Sequence, residues 1–281
     1  MSDPRPTVVA GHDLLAPSPP RITPLAVFGI GRAKRVVQRN FVVYRRGWRF
    51  LVSGFFEPFF YLVSIGLGLS KLVGAIHVGG HAFPYTVFVA PGLLAASAMN
   101  GAIFDCTFKI FFQLKIMKVY ESMLSTPLSP RDVAVGELLW ALARGTLYCG
   151  VFLCVMAGFG YVGTPWVILC LPGSVFVSYA FAGVAMAGTS YMRSWQDFDF
   201  VFLAALPLFL FSATFYPLAV YPGWLQLVVR CTPLYQAVTL QRGLDLGLFT
   251  VSLLGHLLYL VVMGTLGLWV TSRRLADLCL P

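Results

Sequence analysis

The sequence predicts an all-α polytopic membrane protein, on three observations. Of its 281 residues, 58% are hydrophobic and only 11% charged, against roughly a quarter charged in soluble domains, so a water-soluble globular fold is excluded. Six stretches approach or reach the about 20 apolar residues that a helix needs to cross a bilayer. The Lys and Arg residues behind the net charge of +9 gather in alternate connections between those stretches, as in chains whose basic loops are retained on the cytoplasmic side. That distribution makes nucleic-acid binding the weaker explanation of the charge.

The predicted chain begins with a flexible cytoplasmic tail, residues 1–26, rich in proline and lacking the apolar core of a signal peptide. Residues 27–49 form an interfacial amphipathic helix: Val37, Phe41, Tyr44 and Trp48 fall on one face, and Arg32, Arg35, Arg39, Arg46 and Arg49 on another. The alternative is a basic flank that only sets topology. The six spans lie at 50–69, 85–104, 134–158, 166–187, 198–215 and 248–270, and residues 275–281 are a cytoplasmic C-terminus. Arg21, Arg32, Lys34, Arg35, Arg39, Arg45, Arg46 and Arg49 precede the first span. Lys109, Lys115, Lys118 and Arg131 lie between the second and third, Arg193 between the fourth and fifth, and Arg273 and Arg274 after the sixth. The opposite connections hold only Lys71, Arg230 and Arg242. Six spans with both termini in the cytoplasm, in the plasma (inner) membrane, satisfy this distribution.

Between the second and third spans, residues 109–130 first show helical spacing and mixed charge, and Thr126 and Pro127 then stop the helix. Ser129 caps a new one, with Pro130 at its first position and Asp132 at its third, where a carboxylate meets the N-terminal dipole. This is either an ordinary inside loop or a rigid handle for a cytoplasmic partner; spacing does not separate the two. Three charges fall inside apolar runs: Glu57, Glu137 and Arg144. Each costs about 2.5–3.5 kcal/mol at mid-bilayer, so partners or a polar cavity are expected. Arg144 pairs with Glu57 or Glu137, or else meets an anionic substrate headgroup. Small residues at four-residue steps, Ala98 with Ala102, Gly150 with Cys154 and Gly158, and Gly183 with Ala187, offer close helix contacts. The six cysteines show no CxxC pairing, and Gly79 and Gly80 oppose the helix that would join His77 and His81, so neither disulfide nor metal is expected.

Residues 211–234, "FSATFYPLAVYPGWLQLVVRCTPL", are apolar enough for lipid yet contain Pro217, Pro222 and Pro233. Each internal proline removes a hydrogen bond and clashes with the preceding turn, so the segment reads as two short helical pieces that enter and leave by one side. Tyr216, Tyr221 and Trp224 suit interface depth there. No GxxxxGK[ST], HExxH or GxSxG occurs, and the "GIG" at 29–31 lacks a third glycine. The chain therefore reads as a transport subunit without its own ATPase or enzymatic site. An ion-coupled secondary transporter is a second reading, although Glu57 alone is a poor supply of coupling carboxylates, and a non-transporting membrane scaffold is a third.

"STPLSPRDVAVGE" at 125–137 and "FSATFYPLAVYPGWLQLVVRCTPLYQAVTLQRGL" at 211–244, in this order around six spans, resemble the ABC-2 type permeases. Within them the chain is similar to the branch with nodulation lipo-oligosaccharide exporters and daunorubicin-resistance permeases, over about residues 32–274. The resemblance implies that residues 216–244 form an extracellular re-entrant hairpin. It also implies that Lys118, Tyr120, Glu121, Ser122, Met123, Leu124, Pro127, Pro130 and Arg131 belong to a segment that docks on a separate cytoplasmic ABC ATPase. ATP and Mg would be held there and no cofactor on this chain. It further implies a second permease copy, identical or different, membrane lipid as surroundings, and a drug, lipid or glycolipid as cargo.

Overall fold

The computed structural model of the chain describes residues 30–46, 56–78 and 81–279. Helix α1 (Ile30–Arg46) is followed by α2 (Phe56–Ser64), a π-helical turn (Ile65–Leu69) and the short α3 (Ser70–Val73). Strands β1 (Ala75–Val78) and β2 (His81–Pro84) pair antiparallel, with Ala75 opposite Pro84 and Val78 opposite His81. Gly79 and Gly80, on which the expectation about His77 and His81 rested, lie outside the described residues. Then come α4 (Tyr85–Phe104), α5 (Val119–Leu124), α6 (Pro130–Gly158), α7 (Cys170–Tyr191), α8 (Phe198–Leu210), α9 (Gly223–Cys231), α10 (Pro233–Asp245) and α11 (Ser252–Cys279).

Among the described residues, four helical runs are long and apolar enough to cross a membrane: Tyr85–Ile116, Pro130–Gly158, Pro165–Tyr191 and Ser252–Leu278. They coincide with the second, third, fourth and sixth expected spans. Residues 50–55 of the first lie outside the described residues. The fifth is represented by α8, whose 13 residues reach about 20 Å at 1.5 Å per residue, short of a ~30 Å hydrocarbon core. Its helix ends three residues after Pro207.

The second span does not stop at Phe104, as its apolar run suggests. The helix continues through π-helical turns at Asp105–Lys109 and Phe112–Ile116, a 32-residue run of about 48 Å. Neither Pro nor Gly falls in its continuation, Asp105–Ile116, and Cys106, Ile110, Phe111 and Leu114 are buried. Phe108 stacks at 4.5 Å on Phe198, and Phe111 lies 5.0 Å from the same ring. Burial of these apolar side chains carries the helix past the charges at Asp105 and Lys109.

Helix α7 is the centre of the bundle, packed on α4, α6 and α11. Its closest neighbour is α11: a Cβ at Gly267 would stand 2.3 Å from the Gly183 carbonyl carbon, and one at Gly183 would stand 2.5 Å from the Gly264 oxygen. Three glycines therefore bring two backbones into direct contact, the means by which helices associate in lipid. Gly183 was one of the expected small residues, but its partners lie outside that spacing. Gly150 makes only an ordinary contact with Leu171 and Gly158 meets nothing, whereas Ala98 and Ala102 are buried in α4.

Candidate functional site

At one end of the bundle α1, α4 and α6 meet in a charged seam. Arg144 Nη1 lies 3.0 Å from Asp105 Oδ1 and Lys109 Nζ 2.6 Å from Glu137 Oε2. Asp105 and Lys109 lie in the π-helical turn that continues α4, while Arg144 and Glu137 lie in α6 in reverse sequence order, so antiparallel helices place opposite charges side by side. Helix α1 closes the seam. Asn40 Nδ2 donates to Glu137 Oε2 at 3.1 Å, and the Arg144 guanidinium donates to Tyr44 at 2.9 Å and Tyr148 at 3.1 Å. Arg144 also stands over the Tyr44 ring, 4.6 Å from its centroid, a cation–π contact strengthened by desolvation. The four charges sum to zero, which lets them sit under cover.

Of the expected partners, Glu137 is corrected: among the described residues Arg144 pairs with Asp105 instead, and Glu137 is held by Lys109 and Asn40. Glu57 lies in α2, and its side chain is outside the described part. Asp105 and Lys109 escaped sequence reasoning because the apolar run ends just before them. Their opposite order to Glu137 and Arg144 was the signal that could have found them.

Helix α1 attaches differently from the expected aromatic face. Ala33, Val36 and Asn40 are buried, at i, i+3 and i+7, and a Cβ at Gly136 would stand 2.6 Å from Val36. Glycine at that position thus admits α1 against α6. Phe41, Val42 and Val43 stay exposed, as do Arg32 and Arg35, with Arg39 half-buried. Trp48 lies outside the described residues. One face of α1 therefore grips protein, and another, apolar face remains available to lipid.

Beyond the π-helical turns the chain makes an elbow. Lys118 has φ 51° and ψ 30°, a left-handed conformation that ends the long helix, and α5 starts at once. Ser129 then caps α6: its Oγ accepts from the Asp132 N–H at 3.2 Å, and its own N–H donates to Asp132 Oδ2 at 3.0 Å. This reciprocal pair, with Pro130 at the first position, is the expected helix start, worth about 0.5–2 kcal/mol. Tyr120 and Met123 are buried against the core and Leu124 is half-buried, whereas Lys118, Glu121, Ser122, Pro127 and Arg131 face outward. The elbow thus has an anchored side and a polar free side, bordered by exposed Ile116 and Met117. Arg32 Nη1 reaches the Pro127 carbonyl at 3.4 Å, tying α1 to the same corner.

The proline-rich segment forms two helices, α9 and α10, broken between Cys231 and Pro233. Pro217 precedes a 3-10 turn (Leu218–Val220), Pro222 precedes α9, and Pro233 opens α10, where Thr232 accepts the Tyr235 N–H at 3.4 Å. The prolines mark bends, as expected. Tyr221 is buried, donates to the Leu210 carbonyl at 3.3 Å and lies 5.1 Å from the Tyr216 ring, while Trp224, Leu227 and Val228 are exposed on α9.

Arg242 ties α10 to the segment before α9. Its Nε donates to the Phe88 carbonyl at 3.1 Å, and its Nη2 donates to those of Ala213 and Thr214 at 3.1 and 3.2 Å. The guanidinium lies 3.7 Å from the Phe88 ring centroid. Ala213 itself has φ 55°, which turns its carbonyl into the fork. Gln241 donates to the Cys170 carbonyl at 3.2 Å and to Ser174 at 2.8 Å, and Tyr259 donates to the Cys231 carbonyl at 3.0 Å. Sequence reasoning counted Arg242 only as a basic residue in an outer connection. Its position one turn from the end of α10 carries no mark in the sequence of the carbonyls it serves.

A profile of the ABC-2 type transporter family matches residues 32–246. Nodulation protein J of Rhizobium leguminosarum bv. trifolii is 31% identical over 248 residues, covering 85% of this chain and 92% of its own. Nodulation protein J of Rhizobium meliloti is 29% identical over 75% of this chain and 80% of its own. Inner membrane transport permease YadH of Escherichia coli is 24% identical over 73% and 81%. The match runs from the helix that closes the charged seam to the end of α10, through every long helix between them. The chain belongs to the ABC-2 type transporter family, as a membrane permease.

Proposed function

We propose that this permease is the membrane half of an ATP-driven exporter that moves an amphiphilic drug, lipid or glycolipid out across the plasma (inner) membrane. A separate cytoplasmic ABC ATPase hydrolyses ATP with Mg, and a second permease copy, identical or different, completes the path. The name of the Escherichia coli relative, an inner membrane transport permease, supports this membrane. In this reading the chain has six spans and cytoplasmic termini; α2 and α8 belong to the first and fifth spans, and α9 with α10 is a hairpin re-entering from outside.

One observation carries the reading: the elbow is mechanically continuous with two spans. The run Tyr85–Ile116 enters it, α6 leaves it through a satisfied cap, and the charged seam binds both to α1 just above. A thrust on the exposed face around Lys118, Glu121 and Arg131 therefore tilts α1, α4 and α6 as one body, and a rigid-body movement of this kind opens a path between copies. The exposed aromatic and aliphatic side chains of α8 and α9 suit cargo whose tails slide along lipid while the head crosses between copies.

The test has two parts. The permease is purified in mild detergent and its ATPase identified by co-purification; substituting that ATPase's catalytic carboxylate should stop export. Undiminished export would end the reading. Single cysteines at Trp224 and Ser129 should react with an impermeant maleimide from opposite sides of the membrane; reaction from one side would end the topology.

A further inference from the structure

Between α4, α7 and α8 lies a slot of about 860 Å³, within the ~300–1,000 Å³ of sites for small ligands. Its walls are apolar: Ile103, Phe181, Val184, Gly188, Val201 and Ala204. One end differs, because Thr107, Thr189, Arg193, Ser194 and Asp197 line it. From Phe181 to Tyr191 along α7 the slot runs about 15 Å at 1.5 Å per residue, half of a ~30 Å hydrocarbon core. It therefore has the length of a single leaflet, with polar groups where a headgroup would be.

Two details at the polar end point to a ligand. In helices a threonine hydroxyl ordinarily bonds the carbonyl three or four residues back, and Thr189 does so, donating to Ala185 at 2.7 Å. Thr107 sits in the π-helical turn Asp105–Lys109, is 1% exposed, and its Oγ1 has no hydrogen-bond partner among the described residues. Such a hydroxyl is a standing cost that a polar ligand atom would remove. The second detail is charge. The Asp197 carboxylate accepts the backbone N–H groups of Arg193 at 2.7 Å and Ser194 at 3.1 Å, and no ion pair to the Arg193 guanidinium forms among the described residues.

We infer that this slot binds one acyl chain of an anionic membrane amphiphile, its tail between α7 and α8 and its headgroup at Arg193 and Thr107. With Arg193 in a basic connection, the lipid is drawn from the cytoplasmic leaflet. That the bound amphiphile is cargo rests on the export reading above; occupancy of the slot does not.

The full chain is reconstituted in phosphatidylcholine nanodiscs containing phosphatidylglycerol with a diazirine in its acyl chain, irradiated, and its adducts are mapped by mass spectrometry. Adducts should concentrate on the α7 and α8 walls. A Cβ at Gly188 meets no heavy atom within 4 Å, so Gly188→Phe fills the slot without a backbone clash and should cut those adducts about tenfold. Gly101→Phe, equally unobstructed but outside the slot, should leave them unchanged. Arg193→Gln should reduce the preference for phosphatidylglycerol over a phosphatidylcholine probe about fivefold. Adducts spread evenly over the bundle or insensitive to Gly188→Phe would overturn the site. So would cysteine cross-links between copies through Ala204, which would put a second permease in the slot. Export that depends on the ATPase without slot adducts removes the site alone; slot adducts without such export remove the export reading alone.

Discussion

Glu137 accepts from Lys109 and Asn40 under almost complete cover, the ion pair's side chains being 13% and 2% exposed. Replacing Glu137 with Met leaves an ammonium without its counter-ion, and replacing Lys109 with Met leaves a buried carboxylate. Breaking such a pair from one side costs about 3–5 kcal/mol. Lys109 retains some reach to water, which puts Glu137→Met at the lower end and Lys109→Met at the upper. The double variant removes both charges and keeps similar volume, an exchange that is often neutral. Only the Asn40 amide is then orphaned, at about 1–3 kcal/mol. The double variant should therefore be more stable than either single one, a non-additivity of several kcal/mol where independent sites agree within ~0.5 kcal/mol. Unfolding in mixed micelles, followed by tryptophan fluorescence, measures all four corners of the cycle. Amide exchange along α1 should rise in both single variants, because Asn40 and Tyr44 fasten that helix to the seam. A double variant whose loss equals the sum of the singles would refute the pairing, and with it the account of how α1, α4 and α6 move together.

Gly267→Ala puts a Cβ into the Gly183 backbone, so α7 and α11 must part; a loss of about 1–3 kcal/mol is expected, while Gly101→Ala, with open space around it, should be neutral or stabilising by up to ~1 kcal/mol, both read by the same unfolding assay. Arg242→Lys cannot serve three carbonyls with a planar fork; amide exchange and protease cleavage at residues 211–222 should increase, and an unchanged pattern would remove Arg242 as the fastener of that segment. The Arg193 and Ser194 N–H groups hold the Asp197 carboxyl below its ordinary value. Its stabilisation of the α7–α8 turn is therefore present above the ordinary carboxyl pKa and lost as pH falls through the lowered folded value. Exchange in residues 193–199, corrected for intrinsic rates, should rise on going from about pH 6 to about pH 3, and Asp197→Asn should abolish that step.

Much of this protein was legible in its sequence because the bilayer imposes simple conditions. Length and hydropathy located the four long helices, since a spanning segment must satisfy its own backbone and cover its own thickness. Ser129, Pro130 and Asp132 announced the start of α6 because a helix cap is a local arrangement of adjacent residues. Pro217, Pro222 and Pro233 announced the breaks around α9 and α10 for the same reason. What tertiary structure decided was which distant groups meet. Asp105 and Lys109 looked like the end of a span until α6 supplied Arg144 and Glu137. Arg242 looked like a loop cation until three carbonyls from two other segments closed on it, and Gly183 had no visible partner until α11 brought Gly264 and Gly267. A charge costs or contributes according to the dielectric and the counter-ion around it, and a glycine matters according to the backbone opposite. Both are fixed by packing across the bundle, which spacing along one helix does not encode.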